Sequence, residues 1–324
     1  MLMSVLLFAV GLVLLIKGGD WFVDGATGIA KRFNLPDIVV GATVVSIGTT
    51  LPEVMVSTTG ALQGSGAMAY GNAIGSIICN TALIAAISIV CNPGPVNTKS
   101  MKTPAIFFFG ASAIYCLASY ILGTFPRWMG FVMLAVFVVY MILTVRNGMK
   151  NPDAAEEEEE EEGKERKLWQ ELLLLVVGAA VIAVGADLLV EHGQIIALEL
   201  GVPETVVALL FVALGTSLPE LVTTITSLKK GRASLGVGNV IGANVFNLVL
   251  VSGVAVSLAP FDVPCENFLL DTGLNMSLVF EIPVMLGVMS LMIFPTLLSK
   301  KLKRWQGILL LAIYAAFCVC QFML

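Results

Sequence analysis

GTTLPE at Gly48–Glu53 returns as GTSLPE at Gly215–Glu220, each time placing a glutamate inside a long apolar run. A carboxylate at membrane depth costs roughly 2.5–3.5 kcal/mol even on lenient insertion scales, so such a residue marks function by default. The copies lie 167 residues apart (Gly48 to Gly215), and that offset holds over a longer stretch. GNAIGSIICN (71–80) aligns with GNVIGANVFN (238–247), and Gly18, Asp20, Val23 and Pro36 align with Gly185, Asp187, Val190 and Pro203. About a third of the aligned positions are identical, the sign of an internal duplication. Two carboxylates at matching places in two halves predict one shared cation site.

Composition fixes the broad class. The chain is 57% hydrophobic and 13% charged, the balance of an integral membrane protein rather than a water-soluble domain. Crossing the hydrocarbon takes roughly 20 apolar residues as helix, and the runs are continuous, which excludes an alternating porin-type barrel. The expectation is an all-α integral membrane fold of ten transmembrane helices, at 2–30, 36–61, 67–91, 103–123, 127–147, 168–198, 203–228, 234–258, 278–298 and 304–323. An N-terminus outside puts every one of the 18 Lys and Arg residues except Lys17 and Arg127 on one face, which the positive-inside rule makes cytoplasmic. Five helices per half is an odd number, so the second half enters from the opposite side. The halves are therefore expected to be inverted five-helix repeats, 1–147 and 168–324, joined by an acidic cytoplasmic linker at 148–167, with both termini outside and the site near the midplane between them.

Several segments are set aside on physical grounds. The N-terminal apolar stretch lacks a basic leader, and its continuation has a counterpart in the second half, so it is expected to remain as a helix. Seven consecutive glutamates at 156–162 repel one another and read as a solvated tether; collection of divalent cations is a second reading, without the ligand spacing of a calcium-binding loop. The six cysteines form no CxxC pair and suit apolar packing. His192 has Gly25 at its repeat position and reads as packing. No P-loop, HExxH or nucleophile elbow appears, which argues against an enzyme or an ATP-driven pump. No cofactor is expected.

The chemistry concentrates on helices two, three, seven and eight. Proline in GTxLPE removes a backbone donor and glycine permits close approach, so carbonyls near Ser46–Gly48 and Ala213–Gly215 are expected to be released as ligands. Thr49, Thr50, Thr216 and Ser217 add hydroxyls, although each can instead bond its own helix. Glu53 and Glu220 supply charge. Hard cations take six to eight oxygens, whereas a transition metal recruits His or Cys. Asn80 and Asn247 close the second motif in each half and read as ligands or as helix–helix glue. Gly71, Gly75, Gly238 and Gly242 read as close-packing positions, and Asp20 and Asp187 as capping or pairing residues near an interface, with Lys17 a local partner for Asp20.

At these residues the chain resembles the cation/Ca²⁺ exchanger superfamily, specifically its prokaryotic sodium/calcium exchanger-like branch, over essentially its whole length. The resemblance implies a four-helix core binding Ca²⁺ and Na⁺ through Thr49, Thr50, Glu53, Ser76 and Asn80 of the first repeat and Thr216, Ser217, Glu220 and Asn247 of the second, with the first and sixth helices sliding across it. It implies a cell-membrane antiporter exchanging Ca²⁺ for Na⁺, with Ca²⁺, Na⁺ and the lipid bilayer as its partners and nucleic acid excluded. Two positions depart from the pattern: some members carry aspartate at Asn247 and serine at Ala243. An H⁺-coupled Ca²⁺ exchanger is the alternative, and a cation channel or sensor on the same scaffold is a third reading.

Overall fold

A computed structural model describes residues 2–150, 166–200, 215–264 and 275–323. The described residues form α1 (Leu2–Arg32), α2 (Asp37–Leu62), α3 (Gly66–Cys91), α4 (Thr98–Leu122), α5 (Arg127–Met149), α6 (Leu168–Glu199), α7 (Leu218–Lys229), α8 (Ala233–Leu258), α9 (Ser277–Ser299) and α10 (Arg304–Met323). Among them, nine are long and apolar enough to span a membrane; α7 is the exception. The first part of the expected 203–228 helix, through Leu214, lies outside the described residues, as do the glutamate run and Cys265. Predicted and observed ends mostly agree within two residues. The start of α4 differs, because the Asn97 side chain accepts hydrogen bonds from the Lys99 and Ser100 amides (3.0 and 3.3 Å) and caps the helix at Thr98 instead of 103.

α1 and α6, with 31 and 32 residues, run about 46–48 Å at 1.5 Å per residue, longer than the hydrocarbon core. They pack antiparallel along glycines seven residues apart, two turns on one face. A Cβ on Gly11 would sit 2.9 Å from the Gly185 carbonyl, and one on Gly185 would sit 2.9 Å from the Gly11 carbonyl. Gly18 and Gly178 repeat this contact, with clearances of 3.1 and 2.9 Å to each other's carbonyl. Lipid offers no hydrophobic drive for helix association, so contact this close supplies dispersion in its place.

α8 is the most enclosed helix: every residue from Leu235 through Val249 is buried. Its Gly238 and Gly242 press on Ile38 and Ala42 of α2, where a side chain would strike backbone. At Gly71 and Gly75 no described atom lies within 4 Å of an added Cβ; the counterparts of Ile38 and Ala42, at 205 and 209, fall outside the described residues.

Two short antiparallel strand pairs tie loops together: β1 (Gly94–Pro95) with β4 (Lys301–Leu302), and β2 (Thr124–Phe125) with β3 (Phe261–Asp262). One end of the bundle carries an ionic layer. Lys230 reaches Asp24 at 2.6 Å and Asp20 at 3.7 Å, Arg32 meets Glu171 at 3.2 Å, and Arg232 meets Asp37 at 3.0 Å. Asp20 thus pairs with a residue 210 positions away, where the sequence suggested Lys17.

Candidate functional site

Glu53 on α2 and Glu220 in the first turn of α7 are both 0% exposed. Local structure delivers them differently. Pro52 sits inside a continuous helix over Ser46–Leu62, where it provides no N–H for the Gly48 carbonyl. The irregular turn falls just upstream, as a π-helical segment at Gly41–Val45. Within the Ser46–Leu62 helix the carbonyl that proline denies its usual donor is that of Gly48. In the second copy Thr216 and Ser217 form a turn and α7 starts at Leu218 with Pro219 in its first turn, a position where a missing N–H costs nothing. Ala213 and Leu214 lie outside the described residues.

Hydrogen bonds knit the four helices crosswise. Thr50 Oγ1 lies 3.5 Å from Glu220 Oε1, joining α2 to α7. Thr49 Oγ1 donates to Asn239 Oδ1 on α8 (3.1 Å), and Thr216 Oγ1 donates to Asn72 Oδ1 on α3 (3.3 Å). Asn72 Nδ2 in turn donates to Ser57 Oγ (2.8 Å) and to the backbone carbonyl of Glu53 (3.3 Å). α7 also packs against the Asn80–Ala85 segment of α3. Glu53, Glu220, Thr49, Thr50, Thr216 and Ser217 are thus gathered at one place. Ser76, Asn80 and Asn247 are buried on α3 and α8; no side-chain hydrogen bond links them to the carboxylates.

Asn80 and Asn247 share a second property. Each begins a π-helical segment, Asn80–Ala85 and Asn247–Val251. Such single-turn insertions shift side-chain direction and often occur at functional sites.

The polar atoms left unpartnered at this place define its chemistry. Both carboxylate oxygens of Glu53, Glu220 Oε2, Ser217 Oγ and both side-chain atoms of Asn80 and of Asn247 are buried without a hydrogen-bond partner. Burying a carboxylate so costs several kcal/mol unless charge compensates it. The acceptors are all oxygen, the donor set of a hard cation, and among the described residues no cluster of three His, Cys, Asp or Glu offers a transition-metal site.

α1 and α6 cover the motifs from outside. A Cβ on Gly48 would lie 2.8 Å from the Phe22 ring, and one on Gly215 would lie 3.1 Å from Val190. A small cavity separates Phe22, Ala179, Ile182 and Ala183 of the α1–α6 pair from Gly48, Thr49, Pro52 and Pro219.

Asn72 and Asn239 were not among the predicted site residues. They are repeat counterparts within the GN of the second motif, and their identity across the offset was the available signal.

Comparison with known proteins bears on this arrangement. The family model described as sodium/calcium exchanger protein matches residues 3–146 and 171–323. The sodium/calcium exchanger MaX1 of Methanosarcina acetivorans is 31% identical over 98% of each chain. An uncharacterized membrane protein of Methanocaldococcus jannaschii is 34% identical over 95% of this chain and 94% of its own. A solved structure of the sodium-calcium exchanger NCX_Mj, soaked with Na⁺ and Sr²⁺, superposes with a TM-score of 0.79 at 32% identity over 97% of each chain.

The chain belongs to the sodium/calcium exchanger protein family, whose members are transporters.

Proposed function

We propose that this exchanger-family membrane protein moves Ca²⁺ in one direction and Na⁺ in the other through a single site between Glu53 and Glu220, exposed alternately to the two sides. The observation that carries the reading is the pair of buried carboxylates with unpartnered oxygens, ringed by Thr49, Thr50, Thr216 and Ser217. Ser76, Asn80 and Asn247 complete the proposed ligand set. Two carboxylates left without a cation repel across a low-dielectric space. Only a loaded site then closes and reorients, and this requirement makes the protein an exchanger rather than a uniporter. Sodium as the counter-ion is supported by relatives named sodium/calcium exchanger over nearly the full length.

We assign the halves as inverted repeats, 1–147 and 168–324, joined by the linker at 148–167. Paired contacts support this, because a two-fold relation between halves makes contacts recur with their partners exchanged, and the counterpart helices α1 and α6 run antiparallel, as inversion demands. Gly11–Gly185 recurs as Gly178–Gly18, and Thr49–Asn239 recurs as Thr216–Asn72. The loop pairing β1–β4 recurs as β3–β2, and the π-helical segments start at counterpart asparagines. The distribution of Lys and Arg supports termini outside and a cytoplasmic linker.

Ca²⁺ uptake into sealed vesicles, with Na⁺ and H⁺ gradients imposed separately, tests the coupling. An outward Na⁺ gradient is expected to drive accumulation of Ca²⁺ above equilibrium, and a proton gradient alone is not. Accumulation driven only by protons assigns the H⁺-coupled alternative; flux that never exceeds equilibrium under either gradient assigns a channel.

A further inference from the structure

A hydroxyl serves a cation only through its lone pairs, so its single proton must point elsewhere. In a helix the default acceptor is the carbonyl one turn back, and Thr43 follows it, donating to Val39 O at 2.7 Å. Thr49, six residues on, does not. It gives its proton to Asn239 Oδ1 on α8, 190 residues away, at 3.1 Å. Thr216 gives its proton to Asn72 Oδ1 on α3, 144 residues away, at 3.3 Å. Thr49 and Thr216 are counterparts, and so are Asn72 and Asn239, so each half's threonine is aimed by the other half's asparagine.

Asn72 is anchored by its Nδ2 bonds to Ser57 Oγ and to the carbonyl of Glu53 itself. Asn239 is fully buried beside Ser46 Oγ, which lies 2.8 Å from the Gly41 carbonyl, 3.0 Å from the Asn239 backbone carbonyl and 3.3 Å from its Oδ1; the Asn239 Nδ2 has no hydrogen-bond partner, so its oxygen is the contact that matters. Since the amide oxygen already accepts the threonine proton, a role through the threonine fits better than direct ligation.

We infer that Asn72 and Asn239 are positioning residues that orient the Thr216 and Thr49 hydroxyls with their lone pairs toward the transported cation, so that ligand geometry in each half depends on a helix of the other. The inference rests on the reading that these threonines belong to the cation site. It has a mechanical consequence: any displacement of α2 against α8, or of the Thr216 turn against α3, breaks the bond that aims the threonine proton and weakens the site.

Equilibrium Ca²⁺ binding to the purified full-length protein tests this, using Ca²⁺ alone as the probe, with unfolding temperature measured without Ca²⁺ as a control. Asn239→Ala is expected to raise the Ca²⁺ concentration for half-saturation about 5- to 30-fold, of the order of one lost hydrogen bond to a charged site. Thr49→Val should lose a similar amount. The double variant should bind within about twofold of Thr49→Val, because the asparagine has nothing left to orient. Asn72→Ala with Thr216→Val forms an independent second cycle should either Asn239 variant fail to fold. Parent-like affinity in the folded asparagine variants, or losses that multiply in the double variant, overturns the inference. Absence of Ca²⁺ binding in the parent overturns the transport reading as well, which separates the two failures.

Discussion

GTTLPE and GTSLPE carry nearly the same letters into two different backbones. In the first copy proline lies within a continuous helix and strips the Gly48 carbonyl of its donor; in the second it lies in the opening turn of α7, where no donor is owed. The glutamate is buried in both. The motif thus buries the charge in both copies, while the proline meets a different backbone in each. If the site is shared, the carboxylates are equivalent in function while the prolines are not.

The largest expected effect concerns the feature held in common. Glu53→Gln and Glu220→Gln each keep the side-chain shape and remove a charge, and each should reduce Ca²⁺ transport more than about 100-fold while the protein still folds, as read by uptake into vesicles matched for protein content. A large loss in one and near-parent transport in the other would break the equivalence. Next comes the feature that differs. Pro52→Ala returns an N–H to the Gly48 carbonyl and should weaken Ca²⁺ binding about tenfold, whereas Pro219→Ala should stay within about twofold. Equal effects would mean that proline serves packing in both copies.

Third, Asn247→Asp adds a carboxylate that its counterpart Asn80 lacks. The variant should bind Ca²⁺ about 3- to 10-fold more tightly than the parent at high pH, and the gain should shrink as pH falls and protons compete for the new group. Identical pH profiles would place Asn247 outside the site. The smallest effect belongs to the ionic layer. Lys230 pairs with Asp20 and Asp24, all partly exposed, while its own counterpart is Gln63. Such pairs contribute about 0.2–1 kcal/mol, so Lys230→Gln should change the transport rate by no more than about fivefold and leave Ca²⁺ affinity as it is. A change in affinity would tie this layer to the site.

Much of this was legible in the sequence because membrane physics restricts the options. Continuous apolar runs have one solution, a helix, and a glutamate within such a run is conspicuous by its cost. The fixed offset exposed the duplication, and with it the proposal of a shared site. Other features depend on what the chain meets after folding. Asn97 moved the start of α4 because a cap depends on one side chain finding two amides. The π-helical turns that begin at Asn80 and Asn247 carry the same kinds of residues as an ordinary membrane helix, so composition does not announce them. Asn72 and Asn239 are marked in the sequence only by their identity across the offset; what they do lies in threonines 144 and 190 residues away.

A single site for both ions makes Na⁺ and Ca²⁺ compete. Calorimetric titration of Ca²⁺ into the purified protein at increasing Na⁺ concentrations reads that competition. Competition predicts that the apparent Kd for Ca²⁺ rises steadily with Na⁺ while the number of bound Ca²⁺ per chain stays constant, and that Glu53→Gln and Glu220→Gln both abolish the heat. A Ca²⁺ affinity unmoved by Na⁺ would contradict the account.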